Sequence, residues 1–263
     1  MIHIINERVE RLRSWMKENG ISAFIFPSSD PHNSEYVAEH WKSREWISGF
    51  TGSAGTAVVT LDHAALWTDS RYFIAAGKEL KGTGFQLMKL RVEGTPSIPE
   101  WLVNELSHYE KAVVGLDGNV NSFAEVTAIE HELTTNGNIT VRTDADPMTD
   151  FWTDRPVIPD SIVCLHPLKY SGESTSSKIS RIRKYFAGVG ADGLLVTALD
   201  EIAWVLNLRG NDVHCNPVFV SYLLISPEKV SLYIDNVKLP AEVKDYLDSE
   251  HIEVETYDAV EEG

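Results

Sequence analysis

The sequence predicts an α/β protein of two similar domains, each a mixed sheet flanked by helices, the second incomplete at its C-terminal end. Three observations predict it. A helix followed by a buried strand occurs near residue 6 and recurs 170 residues later. In both copies short apolar runs alternate with stretches of helical periodicity, which is how sheets covered by helices read in sequence. Between the copies lies Asp154-Arg155-Pro156-Val157-Ile158-Pro159-Asp160, where two prolines favour an extended crossing. The domains are therefore expected at 1–155 and 160–263.

The first helix is expected over Asn6 to Gly20, because Val9, Leu12, Trp15 and Met16 share one helical face and Gly20 supplies a stop. Ser22-Ala23-Phe24-Ile25-Phe26 then reads as a buried strand that leaves into the polar loop Pro27-Ser28-Ser29-Asp30. In the second copy Ile179, Ile182, Tyr185 and Phe186 repeat the face, Arg181 and Arg183 repeat Arg11 and Arg13, and Gly190 repeats Gly20. Gly193 to Thr197 repeats the strand. The match continues with gaps: Trp46 and Gly52 against Trp204 and Gly210, Ala57-Val58-Val59 against Val218-Phe219-Val220, and Leu66 to Asp69 against Leu232 to Asp235. One repeat at so long a period implies two globular domains rather than a solenoid.

The first copy continues with a helix around Pro99 to Leu106, a strand Ala112 to Leu116, a helix from Phe123 to Leu133 and a strand Ile139 to Arg142. The second has no counterpart to most of this and stops at Tyr257 to Gly263, which reads as the first turn of a helix. The natural gene is accordingly expected to continue, and a sheet edge or apolar surface is expected to stand uncovered in the second domain.

A chain of 263 residues, 43% hydrophobic and 24% charged, buries a substantial core. Its formal charge of −16 repels phosphate backbones and anionic headgroups, so nucleic acid and membranes are not expected partners. No apolar run suits a signal peptide or a transmembrane helix, and two cysteines are too few for a disulfide scaffold. A cytoplasmic location is expected. Cys164 with His166 and Cys215 with His214 do not sit on zinc knuckles; beside apolar stretches, both thiols are expected to pack as small hydrophobes.

Several segments carry a resemblance. Pro27-Ser-Ser-Asp-Pro-His-Asn-Ser-Glu-Tyr36, Ser48-Gly-Phe-Thr-Gly-Ser-Ala-Gly-Thr56, Leu66-Trp-Thr-Asp-Ser-Arg-Tyr-Phe73 and Trp152-Thr-Asp-Arg-Pro156 resemble the N-terminal domain of the aminopeptidase P family. Val196 to Gly210, with Asn216-Pro-Val-Phe219 and Ser221-Tyr222, resembles the second domain of its long, three-domain form. The resemblance implies two creatinase-like domains that precede a pita-bread catalytic domain absent from this chain. In that domain two manganese ions, held by two aspartates, a histidine and two glutamates, activate a hydroxide that attacks the peptide bond before proline. None of those ligands is assignable here, so no metal, cofactor or catalytic residue is expected in this chain and it is expected to be inactive alone. The partners implied are proline-containing peptides, the chain's own C-terminal catalytic domain and, as a candidate assembly, a homodimer. The competing reading is a non-enzymatic peptide- or protein-binding module built on the same domains.

Three residues are candidates for a place near substrate. Asp69 and Arg71, two apart at a strand end, are expected on one side of it, as an ion pair or loop anchor; the rival reading, implied by the resemblance, is that Arg71 reaches the C-terminal side of a bound peptide. His32 lies in a polar loop after a strand, where sites are often built, although loop hydrogen bonding also accounts for it. Gly52-Ser53-Ala54-Gly55 fits neither a nucleophile elbow nor a Walker loop and reads as a tight turn. Asn207 and Arg209 read as backbone-bonding groups. Asp200 and Glu201, being adjacent, do not share an acid–base site.

Overall fold

The computed structural model describes residues 2–261. The chain forms two compact units, one of residues 1–31 with 40–156, the other of residues 32–39 with 157–263. Segment 32–39, which the sequence assigns to the first domain, thus goes with the second.

In the first unit, helix α1 (Ile2–Glu18) buries Ile5, Val9, Leu12 and Met16 and ends before Gly20, whose φ of +67° suits a residue without Cβ. Strand β1 (Ala23–Phe26) follows, then α2 (Ser43–Ser48), the hairpin β2 (Thr56–Thr60) and β3 (Ala64–Thr68), α3 (Phe73–Glu79) and β4 (Phe85–Lys89). Next come α4 (Ile98–Glu105), β5 (Val113–Leu116), α5 (Phe123–Gly137), β6 (Thr140–Arg142) and α6 (Pro147–Phe151). Helices α4 and α5 each begin in a capping box, Ser97 with Glu100 and Ser122 with Glu125. The sheet order is β4-β3-β2-β1-β5-β6; β2 is antiparallel to both neighbours and every other pairing is parallel. One core lies under α1, α2 and α3, the other under α4 and α5.

The second unit contains β7 (Cys164–Leu165), α7 (Leu168–Ser171), α8 (Thr175–Gly188), β8 (Leu194–Val196), α9 (Leu199–Leu206) and β9 (Leu208–Arg209). It continues with β10 (Tyr222–Ile225), β11 (Val230–Tyr233), α10 (Ala241–Ser249), β12 (Glu253–Glu255) and a 3-10 turn Tyr257–Glu261. The end of the expected final turn, Glu262 and Gly263, lies outside the described residues. Its main sheet, β12-β11-β10-β8, has the order and directions of β4-β3-β2-β1.

The duplication extends to side-chain anchors. Arg13 donates from Nε to the Thr60 carbonyl at 3.1 Å and Arg183, its copy, to the Ser226 carbonyl at 2.9 Å. Both acceptors open the following hairpin turn, where the Thr60 and Ser226 hydroxyls accept from the amides of His63 and Lys229 at 2.9 and 3.0 Å. Arg8 donates to the Trp46 carbonyl and lies 4.0 Å from its ring; Lys178 donates to the Trp204 carbonyl and lies 4.4 Å from its ring. Each is a cation over a tryptophan face, tethered to that residue's own backbone.

Three expectations need correction. The copy of β2 is β10, not Val218-Phe219-Val220, which is buried but irregular; strand register pairs Leu223 with Leu232 as Ala57 pairs with Leu66. Tyr185 is 74% exposed, so it stands outside the buried face that Ile179 and Phe186 form on α8. Both cysteines are free and exposed, so neither packs as a small hydrophobe; Cys215 sits in a tight turn with φ of 59°.

Candidate functional site

Loops at the carboxyl ends of β1 and β3 carry a set of hydrogen-bonded polar side chains in the first unit. Arg44 on α2 is buried and donates to Ser28 Oγ at 2.9 Å and to the carbonyls of Phe50 and Gly52. Burial pulls its guanidinium down to about 10. The Gly52–Gly55 turn is held from the other side by Thr68, whose hydroxyl donates to the Ala54 carbonyl at 2.6 Å, and by Ser28, which donates to the Gly55 carbonyl at 2.7 Å. A Cβ on Gly52 would lie 2.3 Å from the Phe50 ring, so glycine is required there by close approach.

Strand β3 stops at Thr68, and Asp69 and Arg71 meet through a turn rather than by strand alternation. Asp69 Oδ1 accepts from the Arg71 amide at 3.0 Å and from its Nε at 3.0 Å, while Oδ2 accepts from Nη2 at 2.8 Å. The hydrogen bonds of the Arg71 side chain first, the Arg71 backbone amide second and the guanidinium charge after them hold the Asp69 carboxyl down at about 2. The copy of this turn repeats the backbone part only: Asp235 accepts from the Val237 amide at 3.0 Å. The amide bond therefore belongs to the shared fold, and the guanidinium is what the first copy adds. Arg71 also lies 5.3 Å from the Tyr72 ring, and Tyr72 hydroxyl meets Ser53 Oγ at 2.7 Å.

His32 belongs to the second unit. It is 1% exposed and lies 4.5 Å from the Tyr222 ring, which stacks on Tyr257 at 5.2 Å. Nδ1 donates to the Thr197 carbonyl at 3.1 Å; a carbonyl only accepts, so that nitrogen carries a proton, and Nε2 meets the Tyr257 hydroxyl at 2.9 Å. This is a plug that seats segment 32–39 on the second unit. Beside it opens a cleft of about 740 Å³ lined by His32, Asn33, Tyr36, Asp200, His214 and Cys215 among others. Asn33 and Cys215, both in the lining, have left-handed backbones, with φ of 54° and 59°. The start of α9 also faces it, and Ala198 leaves that helix without a side-chain cap.

Asp69 and Arg71 are thus brought together, in the first unit, while His32 acts in the second. Asn207 caps α9 in a left-handed conformation, accepting from Lys178 Nζ at 2.6 Å and donating to the Glu173 carbonyl at 2.9 Å; Arg209 donates to the carbonyls of Ala203 and Leu208. Sequence reasoning missed Arg44, the cation–tryptophan pairs and a buried ion pair in which Asp212 accepts from Lys238 Nζ at 2.6 Å. Aligning the copies residue by residue reveals Arg8 and Lys178, because both keep the 170-residue offset. Nothing local marks Arg44 or Lys238. Among the described residues, no three His, Cys, Asp or Glu side chains converge to hold a metal ion.

Comparison with known proteins also divides the chain in two, with residues 32–39 inside the first match. The creatinase/prolidase N-terminal domain matches residues 8–148, and a second form of it matches residues 154–263. A probable Xaa-Pro aminopeptidase P of Aspergillus niger is 41% identical over 97% of this chain, and aminopeptidase P2 of Arabidopsis thaliana is 40% identical over 99%. The chain spans only 41% and 37% of those relatives' own lengths. The X-prolyl aminopeptidase of Caenorhabditis elegans, described as a cytosolic enzyme with a di-nuclear active site, superposes with a TM-score of 0.86 at 32% identity, over 91% of this chain and 39% of that one. No helix among the described residues is long and apolar enough to cross a membrane. With two successive matches that together run from residue 8 to residue 263, the chain belongs to the creatinase/prolidase N-terminal domain family.

Proposed function

We propose that this chain is the N-terminal, non-catalytic part of a metal-dependent Xaa-Pro aminopeptidase, and that its two domains shape access to a proline-specific active site. The observation that carries the reading is identity of about 41% along 97% of the chain to Xaa-Pro aminopeptidases that run more than twice as far. Two metal ions, proposed as manganese, would activate water and polarise the scissile carbonyl in the complete enzyme; among the described residues no side chains group to hold them as ligands. A cytoplasmic location and a homodimeric assembly belong to the same proposal, as does a surface that excludes nucleic acid and membranes.

Within it, Arg71 is the substrate-side residue. Asp69 fixes the guanidinium by a two-point contact, and the Ser53–Tyr72 pair fixes the loop. His32 shapes the second unit's cleft and keeps segment 32–39 in place. A restricted entrance favours short or unfolded peptides. Hydrolysis of an Xaa-Pro-Pro peptide, with and without added Mn²⁺, by the 263-residue chain and by the longer gene product tests the reading. Activity in the long protein alone is expected; activity in neither favours a binding module, and metal-dependent activity in the short chain overturns the proposal. In the long protein Arg71→Ala is expected to raise KM for tripeptides more than for an amidated dipeptide.

A further inference from the structure

Strands β3 and β4 run side by side in parallel, with Thr68 opposite Lys89, and each ends in a β-turn. The Tyr72 amide donates to the Asp69 carbonyl at 3.0 Å, and the Val92 amide to the Lys89 carbonyl at 3.2 Å. The Leu90 amide donates to the Thr68 carbonyl at 3.0 Å and so ties the second turn to the end of β3. Neighbouring strands lie about 5 Å apart, so the two turns sit beside each other. Both place an arginine third of their four residues, Arg71 in one and Arg91 in the other.

Arg91 is strained where it stands. Its φ of 65° is left-handed, and a turn with that geometry at its third residue favours glycine. The side chain is exposed, so core packing does not account for it. Among the described residues neither Arg91 nor Lys89 joins an ion pair or donates a side-chain hydrogen bond, and Lys89 Nζ lies 5.5 Å from the Phe73 ring. Glu93, two residues beyond Arg91, forms no ion pair either. Asp69 is taken up by Arg71. Three cations around one paired carboxylate stand out on a chain of charge −16. The fold itself does not ask for them: the second unit's copy of the first turn has Val237 in the place of Arg71.

We infer that Arg91 joins Arg71 in a subsite for a carboxylate on the C-terminal side of a peptide substrate, with Lys89 adding to its field, and that Arg91 is a specificity-determining residue. Leu90 and Val92, 42% and 44% exposed, flank the guanidinium with apolar surface for the peptide's own side chains. Two sources supply such a carboxylate, the free C-terminus of a short peptide and an acidic side chain beyond proline. The inference rests on the reading of Arg71 as the substrate-side residue of a longer aminopeptidase.

The kcat/KM of the longer gene product for three peptides tests it: Ala-Pro-Pro-Gln with a free C-terminus, the same peptide amidated, and amidated Ala-Pro-Pro-Glu. The first against the second reads the C-terminal carboxylate, and the third against the second reads the side chain. A preference of roughly 3- to 5-fold for one or both carboxylate peptides is expected at low ionic strength, shrinking as salt is added. Arg91→Gly is expected to cut that preference at least twofold with a Tm equal or higher, because glycine suits the turn. Arg91→Lys, which keeps the charge, is expected to retain it. No preference in the unaltered protein overturns the inference, as does a preference that Arg91→Gly leaves intact or that Arg91→Lys loses equally. Should the long product cleave none of the three, the aminopeptidase reading fails, and the subsite is then read in the 263-residue chain by NMR. Shifts of the Arg71 and Arg91 amides with millimolar carboxylate peptide, absent with the neutral one, uphold the subsite; shifts with neither sink it too.

Discussion

Arg71 and Arg44 make opposite uses of a guanidinium. Arg71 is exposed and spends its donors on one carboxylate, whereas Arg44 is buried and spends them on a hydroxyl and two carbonyls. Because the Asp69 carboxyl is depressed to about 2 from an ordinary 3.8, the pair is fully formed above about pH 4 and is lost as the pH falls through the folded value. Arg71→Gln is expected to return that carboxyl towards its ordinary range, read from the Asp69 side-chain carbonyl shift in an NMR titration; an unmoved midpoint would mean that the backbone amide alone sets it. Arg44→Met leaves the Phe50 and Gly52 carbonyls without their donor and is expected to cost about 3 kcal/mol in urea unfolding. The pairing of Asp69 with Arg71 was legible from spacing, though the strand ends before it. Arg44 was not, because its acceptors are backbone carbonyls, and a carbonyl leaves no mark in sequence.

At the level of elements, the offset of 170 residues located the helix–strand unit of both copies correctly, because burial of one helical face and of a four-residue strand imposes the same residue types twice. It failed at Val218–Val220. A loop inserted before β10 is buried without being a strand, and an apolar run by itself does not separate the two. That loop is held by Asp212, which accepts from the Ser161 amide at 3.1 Å, the Val220 amide at 2.7 Å and Lys238, with both side chains of the ion pair no more than 2% exposed. Lys238→Met leaves a buried carboxylate without its charge partner and is expected to cost roughly 3–5 kcal/mol by chemical denaturation. Gly210→Ala places a Cβ 2.7 Å from that of Phe219 and is expected to cost about 1–3 kcal/mol, read the same way.

For the whole molecule, the division into two α/β domains and their family were readable, since both rest on patterns distributed along nearly the full chain. The boundary was not. Residues 32–39 follow β1 in sequence but belong to the second unit through His32, whose ring bonds Thr197 and Tyr257 far downstream. A chain cut after residue 155 is therefore expected to keep exchange protection in β1 to β6 and lose it over 32–39; retained protection there would show that the segment folds on the first domain alone.

The tryptophan held under Lys178 has a practical corollary. Of the chain's seven tryptophans, Trp204 is the one that falls in the second unit; Trp15, Trp41, Trp46, Trp67, Trp101 and Trp152 all fall in the first. Intrinsic emission consequently reports almost wholly on the first unit's unfolding. In a Trp204→Phe protein it becomes blind to the second, and the difference between the two emission curves isolates the spectrum of a single indole beneath an ammonium group.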